Sequence, residues 1–95
     1  MQSPQESPHL YSIDSPEAAI YLALLNEANK EFHVYEEEQH IAEKEGSTQQ
    51  ANEAFKQKLD ADRRYLAMHD RIIQRTTARP RYDHILQRYV LVEQQ

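Results

Sequence analysis

The sequence predicts an all-α fold: a long antiparallel helical hairpin with coiled-coil-like packing, followed by a short C-terminal helix. Three observations predict it. From Ala18 to Ala42 apolar residues recur in steps of three and four. The chain then reaches its only glycine, Gly46, and a second periodic stretch starts just beyond it. A third, shorter stretch follows Pro80.

The first helix, expected over residues 16–45, has a sharp start. Ser15 is a good N-cap, Pro16 suits the first helical position, and Glu17 suits the positive helix end. Its seam reads Ala18, Tyr21, Leu25, Ala28, Phe32, Tyr35, Gln39, Ala42. Thirty residues of helix span roughly 45 Å at 1.5 Å per residue. Gly46 stands where a left-handed C-terminal cap belongs, and Ser47 with Gln50 has the spacing of a capping box. One helix stops and the next starts within a minimal turn, so the two run antiparallel.

The second helix is expected over residues 48–77. Its primary seam reads Phe55, Leu59, Asp62, Leu66, His69, Ile73, with a second stripe beside it: Ala54, Ala61, Tyr65, Met68, Ile72. Folding the chain at the turn sets Phe32 near Ala61, Ala28 near Tyr65, Leu25 near Met68 and Tyr21 near Ile72. Large residues then meet small ones, as close packing requires. The turn end is thin and polar, and an arm of that kind invites support from a second copy or a partner. Pro80 ends the second helix, because the residue before a proline avoids the helical region. Tyr82, Ile85, Leu86, Tyr89 and Val90 follow helical spacing, which predicts a third helix over residues 81–92. Tyr89 to Val92 has strand-like composition, which leaves the last turn open.

Residues 1–14 are rich in Gln, Ser and Pro and show no helical period, so they read as a flexible tail before a single domain, 15–95. His9 to Ile13 is its one stretch apolar enough to dock on the core. Ser3 and Ser7 each precede a proline; they are two ordinary turn dipeptides or two proline-directed phosphorylation sites.

Ninety-five residues make one domain, and a chain this short covers a modest share of its surface, so a homodimer is the expected state. There is no cysteine, which excludes disulfides, thiolate metal sites and thiol nucleophiles. A single glycine excludes a phosphate-cradling loop. The first residues lack the charged and apolar regions of a secretory leader, and the longest apolar run, Ala18 to Leu25, is far short of a membrane span. The expectation is cytoplasmic, with no membrane partner.

The net charge of −5 is unevenly placed. Residues 1–55 hold eleven acids and two lysines; residues 56–95 hold nine lysines and arginines and five acids. Helices of opposite charge lying side by side account for this. The alternative is a basic half that binds nucleic acid, but the attached acidic half would repel it.

Two constellations invite a chemical reading. Glu37 and His40 form one Glu-x-x-His pair, and di-iron bundles use two such pairs pointing into the core. A dimer supplies the second pair, with Glu53 as a further ligand. The seam, however, turns Glu37 and His40 outward, toward lysines of the second helix, where surface pairing accounts for them. Asp62 and His69 lie on the second seam and need partners. They are boundary residues, or a polar contact that fixes dimer register and makes association pH-sensitive.

No catalytic arrangement is recognisable, and no cofactor is implied. The chain is expected to be a non-enzymatic protein–protein interaction module, of adaptor, chaperone, regulator or inhibitor type. The alternatives are a dimeric di-iron-like metal protein and a nucleic-acid binder. The candidate contact surface is Tyr82, Ile85, Leu86, Tyr89 and Val90 with Arg71, Arg75, Arg79 and Arg81: an apolar face beside concentrated positive charge.

Overall fold

Ser15 caps the first helix as its sequence position requires: its hydroxyl oxygen accepts from the Ala18 amide at 3.1 Å, and the hydroxyl donates to the Ser12 carbonyl at 2.7 Å. In the computed structural model, which describes residues 9–94, helix α1 runs Pro16–Lys44 and helix α2 runs Thr48–Arg75. Strand β1 (Ala78–Asp83) and strand β2 (Arg88–Glu93) follow as an antiparallel pair. Ser3, Ser7 and most of the expected tail lie outside the described residues.

The turn between the helices is a Schellman motif. The Ser47 amide donates to the Ala42 carbonyl at 2.9 Å, the Gly46 amide to the Glu43 carbonyl at 3.2 Å, and Gly46 has φ +76°. Ser47 also caps α2, accepting from the Gln50 amide at 3.4 Å. One residue therefore ends one helix and begins the other.

The seam read in α1 is the one that packs: Ala18, Leu25, Ala28 and Ala42 are buried, and Tyr21, Phe32, Tyr35 and Gln39 half-buried. In α2 the order of the two stripes is reversed. Ala51, Ala54, Ala61 and Ile72 are buried with Tyr65 and Met68 half-buried, while Phe55, Leu59, Leu66 and Ile73 stay exposed. The alanines decide this. They let the two backbones approach closely along the arm, and a Phe–Leu–Leu–Ile seam would hold them apart. Cross-helix contacts of Glu31 with Arg64, Phe32 with Lys58 and Tyr21 with Arg71 fix the antiparallel register.

The third helix expected over residues 81–92 is not formed; that segment is the β-hairpin, and the fold is not all-α. Thr76 redirects the chain. It is fully buried; its hydroxyl donates to the Ile72 carbonyl at 2.7 Å, and its oxygen accepts from the Ala78 amide at 2.9 Å. Thr77 and Arg75 flank a parallel bridge to Tyr11, whose amide donates to the Arg75 carbonyl and whose carbonyl accepts from the Thr77 amide, both at 2.9 Å. Alternation then buries Ala78 and Pro80 and exposes Arg79 and Arg81.

A proline inside a strand needs a position without a ladder bond. The Asn26 side chain shows which pairs these are. Its amide donates to the Tyr89 carbonyl at 3.0 Å and its oxygen accepts from the Tyr89 amide at 2.7 Å. Both groups of Tyr89 thus point away from β1, so Tyr82–Tyr89 is a non-hydrogen-bonded pair. By alternation Pro80–Leu91 is another, and the missing N–H of Pro80 owes β2 nothing.

The core sits at the open end of the hairpin. Leu25, Ile72 and Ala78 form its centre, with Ile13, Tyr21, Leu22, Tyr65, Met68, Tyr89 and Leu91 around them. The molecule is 65 × 34 × 20 Å, a head of helices and strands with a two-helix arm projecting from it. Buried alanines are worth about 0.8 kcal/mol per methyl, whereas a buried Leu or Ile contributes about 1.5–3 kcal/mol, so the head carries most of the stability.

Candidate functional site

The hairpin brings part of the expected contact surface together and disperses the rest. Cross-strand partners share a face of the sheet, so Arg79 stands with Val92, Arg81 with Val90, and Asp83 with Arg88. This face turns away from the core. Val90 and Val92 are half-buried among the exposed Arg79, Arg81 and Arg88. The opposite face carries Tyr82, Tyr89 and Leu91 toward the helices.

Tyr82 and Tyr89 are packing residues. Their rings meet edge to face at 5.1 Å, and Tyr89 lies 5.6 Å from Tyr65. The Tyr65 hydroxyl donates to the Tyr89 hydroxyl at 2.8 Å. Burial first, and then this bond, push the Tyr65 phenol above its ordinary range. The cluster clamps the hairpin to α2, while Asn26 clamps it to α1.

The turn, residues 84–87, holds Ile85 and Leu86. Ile85 is 92% exposed and Leu86 53% exposed. The turn is nevertheless ordered by its own bonds. An Asp83 carboxylate oxygen accepts from the Leu86 amide at 2.8 Å and the Ile85 amide at 2.9 Å, and the Gln87 amide donates to the Asp83 carbonyl at 2.7 Å. Those amide bonds, the one from Leu86 first, hold the Asp83 carboxyl below the usual carboxylate range, with Arg81 and His84 adding to the effect. Gln87 takes φ +57°, the left-handed conformation that closes the loop. Two large apolar side chains are therefore presented to solvent by a rigid tip.

Arg71 and Arg75 are not part of this surface. Arg71 lies on α2 with its guanidinium 5.9 Å from the Tyr21 ring centre. Arg75 is the last residue of α2, at its negative pole, beside the docked Tyr11 segment. Arg88 and Val92 belong to the hairpin face although helical spacing did not select them. Their signal was alternation: Arg79/Arg81 and Val90/Val92 repeat at two residues, the strand period.

Glu37, His40 and Glu53 are all exposed. Among the described residues no three His, Asp or Glu side chains converge into a set able to hold a metal ion. The lysine pairing expected beside Glu37 and His40 is replaced by other contacts. Lys58 lies over Phe32 and Phe55, at 5.8 and 5.4 Å from their ring centres, and the inter-helix ion pair is Arg64–Glu31 at 2.8 Å. Glu36 pairs with His33 at 3.5 Å.

The concave sites are open grooves. One of ≈ 630 Å³ lies between α1 and the hairpin, with Asn29, His33, Glu37, Tyr82 and Arg88 in its walls. Another of ≈ 450 Å³ lies along the arm, floored by Ala42 and Ala54 and rimmed by Glu38, Glu45 and Glu53. Among the described residues no helix is long and apolar enough to cross a membrane. Comparison with protein-family models, with curated proteins and with solved structures returned no match to this chain.

Proposed function

We propose that the chain is a non-enzymatic protein–protein interaction module that acts through its C-terminal β-hairpin. One observation carries this reading: Ile85 and Leu86 stand exposed on a turn whose geometry Asp83 fixes. An apolar pair left in water by a mobile loop costs little. The same pair on an ordered tip is pre-organised for a pocket, because little conformational entropy is lost on docking. Arg88 flanks the turn, with Arg81 and then Arg79 further along the outer face of the strands, so the complementary surface is an apolar pocket with acidic groups along one side.

The module acts as a homodimer. The test is a comparison of two baits in lysate of the native host, the intact chain and an Ile85→Ser/Leu86→Ser variant. The turn bonds are made by backbone amides and Asp83, so the variant keeps its fold and circular dichroism. Loss of a partner that the intact chain retains supports the reading; equal recovery of every partner by both baits refutes it.

A further inference from the structure

Helix α2 carries two apolar stripes and spends only one of them on α1. The other reads Phe55, Leu59, Leu66, Ile73, exposed by 41, 40, 51 and 38%. Asp62 and His69, both half-buried, complete the line at alternating steps of four and three. That is a heptad seam running roughly 27 Å along the helix at 1.5 Å per residue. The exposed apolar residues of α1 make no comparable seam, because Glu27, Glu31 and Glu38 interrupt Ile20, Leu24, Val34 and Ile41.

We propose that a second copy of this chain packs along this seam, with the two α2 helices antiparallel about a twofold axis at the level of Arg63 and Arg64. The proposal rests on the dimeric reading above and gives it a surface. Charge selects the occupant and its direction. A parallel pair in register would set Asp62 against the partner's Asp62. The antiparallel pair sets Phe55 opposite the partner's Ile73, Leu59 opposite the partner's His69, and Asp62 opposite the partner's Leu66.

On the exposed flank of the seam, Lys56, Arg63 and Asp70 recur at seven-residue steps. Antiparallel packing brings Lys56 beside the partner's Asp70, twice by symmetry. The one like-charge approach, Arg63 to the partner's Arg63 at the axis, has an Asp62 next to it on each copy. The same direction lays the acidic arm of one copy against the basic head of the other. Residues 36–56 hold six acids and two lysines, and residues 63–94 hold seven arginines and three acids. The thin arm gains a neighbour along its length.

The chain has no cysteine, so introduced thiols report cleanly. Phe55→Cys and Ile73→Cys variants are oxidised separately and as an equimolar mixture of refolded chains. The proposal expects a disulfide-linked dimer in the mixture alone. Leu66→Glu sets a second carboxylate against the partner's Asp62, twice by symmetry, and should raise the dissociation constant about a hundredfold, seen as a monomer mass with unchanged circular dichroism. Self-linking of either single variant, a monomeric intact chain at high micromolar concentration, or a dimer indifferent to Leu66→Glu would each overturn it. The Ile85→Ser/Leu86→Ser variant separates the two readings: it should lose the partner and keep the dimer mass.

Discussion

Replacing Asn26 with alanine should release the C-terminal hairpin from α1 while leaving the helical hairpin folded. The Asn26 amide satisfies both the N–H and the C=O of Tyr89, at 2.7 and 3.0 Å. Truncation leaves two backbone groups without partners at a half-buried position. A buried orphan costs about 1–3 kcal/mol; partial access of water to Tyr89 lowers that, so the pair together should cost about 2 kcal/mol. Urea denaturation gives the total, and hydrogen exchange of the Tyr89 amide gives the local opening. At 1.4 kcal/mol per decade, that amide should exchange roughly 25-fold faster, about 10^1.4, while amides of α1 near Leu25 change by the global amount alone. Asn26→Asp keeps the acceptor and loses the donor, so it should cost about half as much. A loss below about 0.5 kcal/mol with unchanged Tyr89 exchange would refute the clamp, because surface substitutions fall within that range.

Other perturbations have signs set by the structure. The Gln39 side-chain oxygen is buried without a hydrogen-bond partner on the α1 seam, so Gln39→Leu should stabilise the arm by about 1–2 kcal/mol in a thermal or urea melt. Gly46 has φ +76° and no atom within 4 Å of an added Cβ, so Gly46→Ala should cost about 1–2 kcal/mol through backbone conformation alone, and Gly46→Val no less. The lowered Asp83 carboxyl makes the turn pH-dependent: its contribution is complete above the ordinary carboxylate range and is lost as pH falls through the depressed value, which the Ile85 and Leu86 amide shifts report. The raised Tyr65 phenol has the opposite sign. Its contribution is complete below the ordinary phenol value of about 10 and is lost as pH rises through the raised one, so near-ultraviolet dichroism of the tyrosine cluster should fade in strong alkali.

The helices were legible because their signals are local and redundant. Ser15, Pro16, Gly46 and Ser47 mark ends by chemistry that operates within a few residues, and the α1 seam is unambiguous. The choice between the two α2 stripes was not legible from periodicity, since both have it. Backbone approach decides that choice, and it favours alanines that a hydropathy reading undervalues. The C-terminal segment failed for another reason. Ile85 and Leu86 fall at helical spacing from Tyr82 and Tyr89, so an apolar turn imitated a helix face. Pro80, the Arg79/Arg81 alternation and the Tyr89 to Val92 run were the strand signals, and Asp83, which accepts from the Ile85 and Leu86 amides, was the turn signal. Ile85 and Leu86 are exposed in the turn, as they would also be on the outer face of a helix. Arg71 and Arg75 lie on α2, before the chain turns at Thr76 into the hairpin.

Contact between the ordered tip of the hairpin and another protein can be captured in the native host by a photo-crosslinking amino acid at position 85, with one at position 49, on the exposed first turn of α2, as the comparison. Position 85 should give a discrete adduct between this chain and a second protein, with none of that species from position 49. The same adduct from position 49 alone, or no adduct from position 85 under conditions where the chain is folded and abundant, would contradict it.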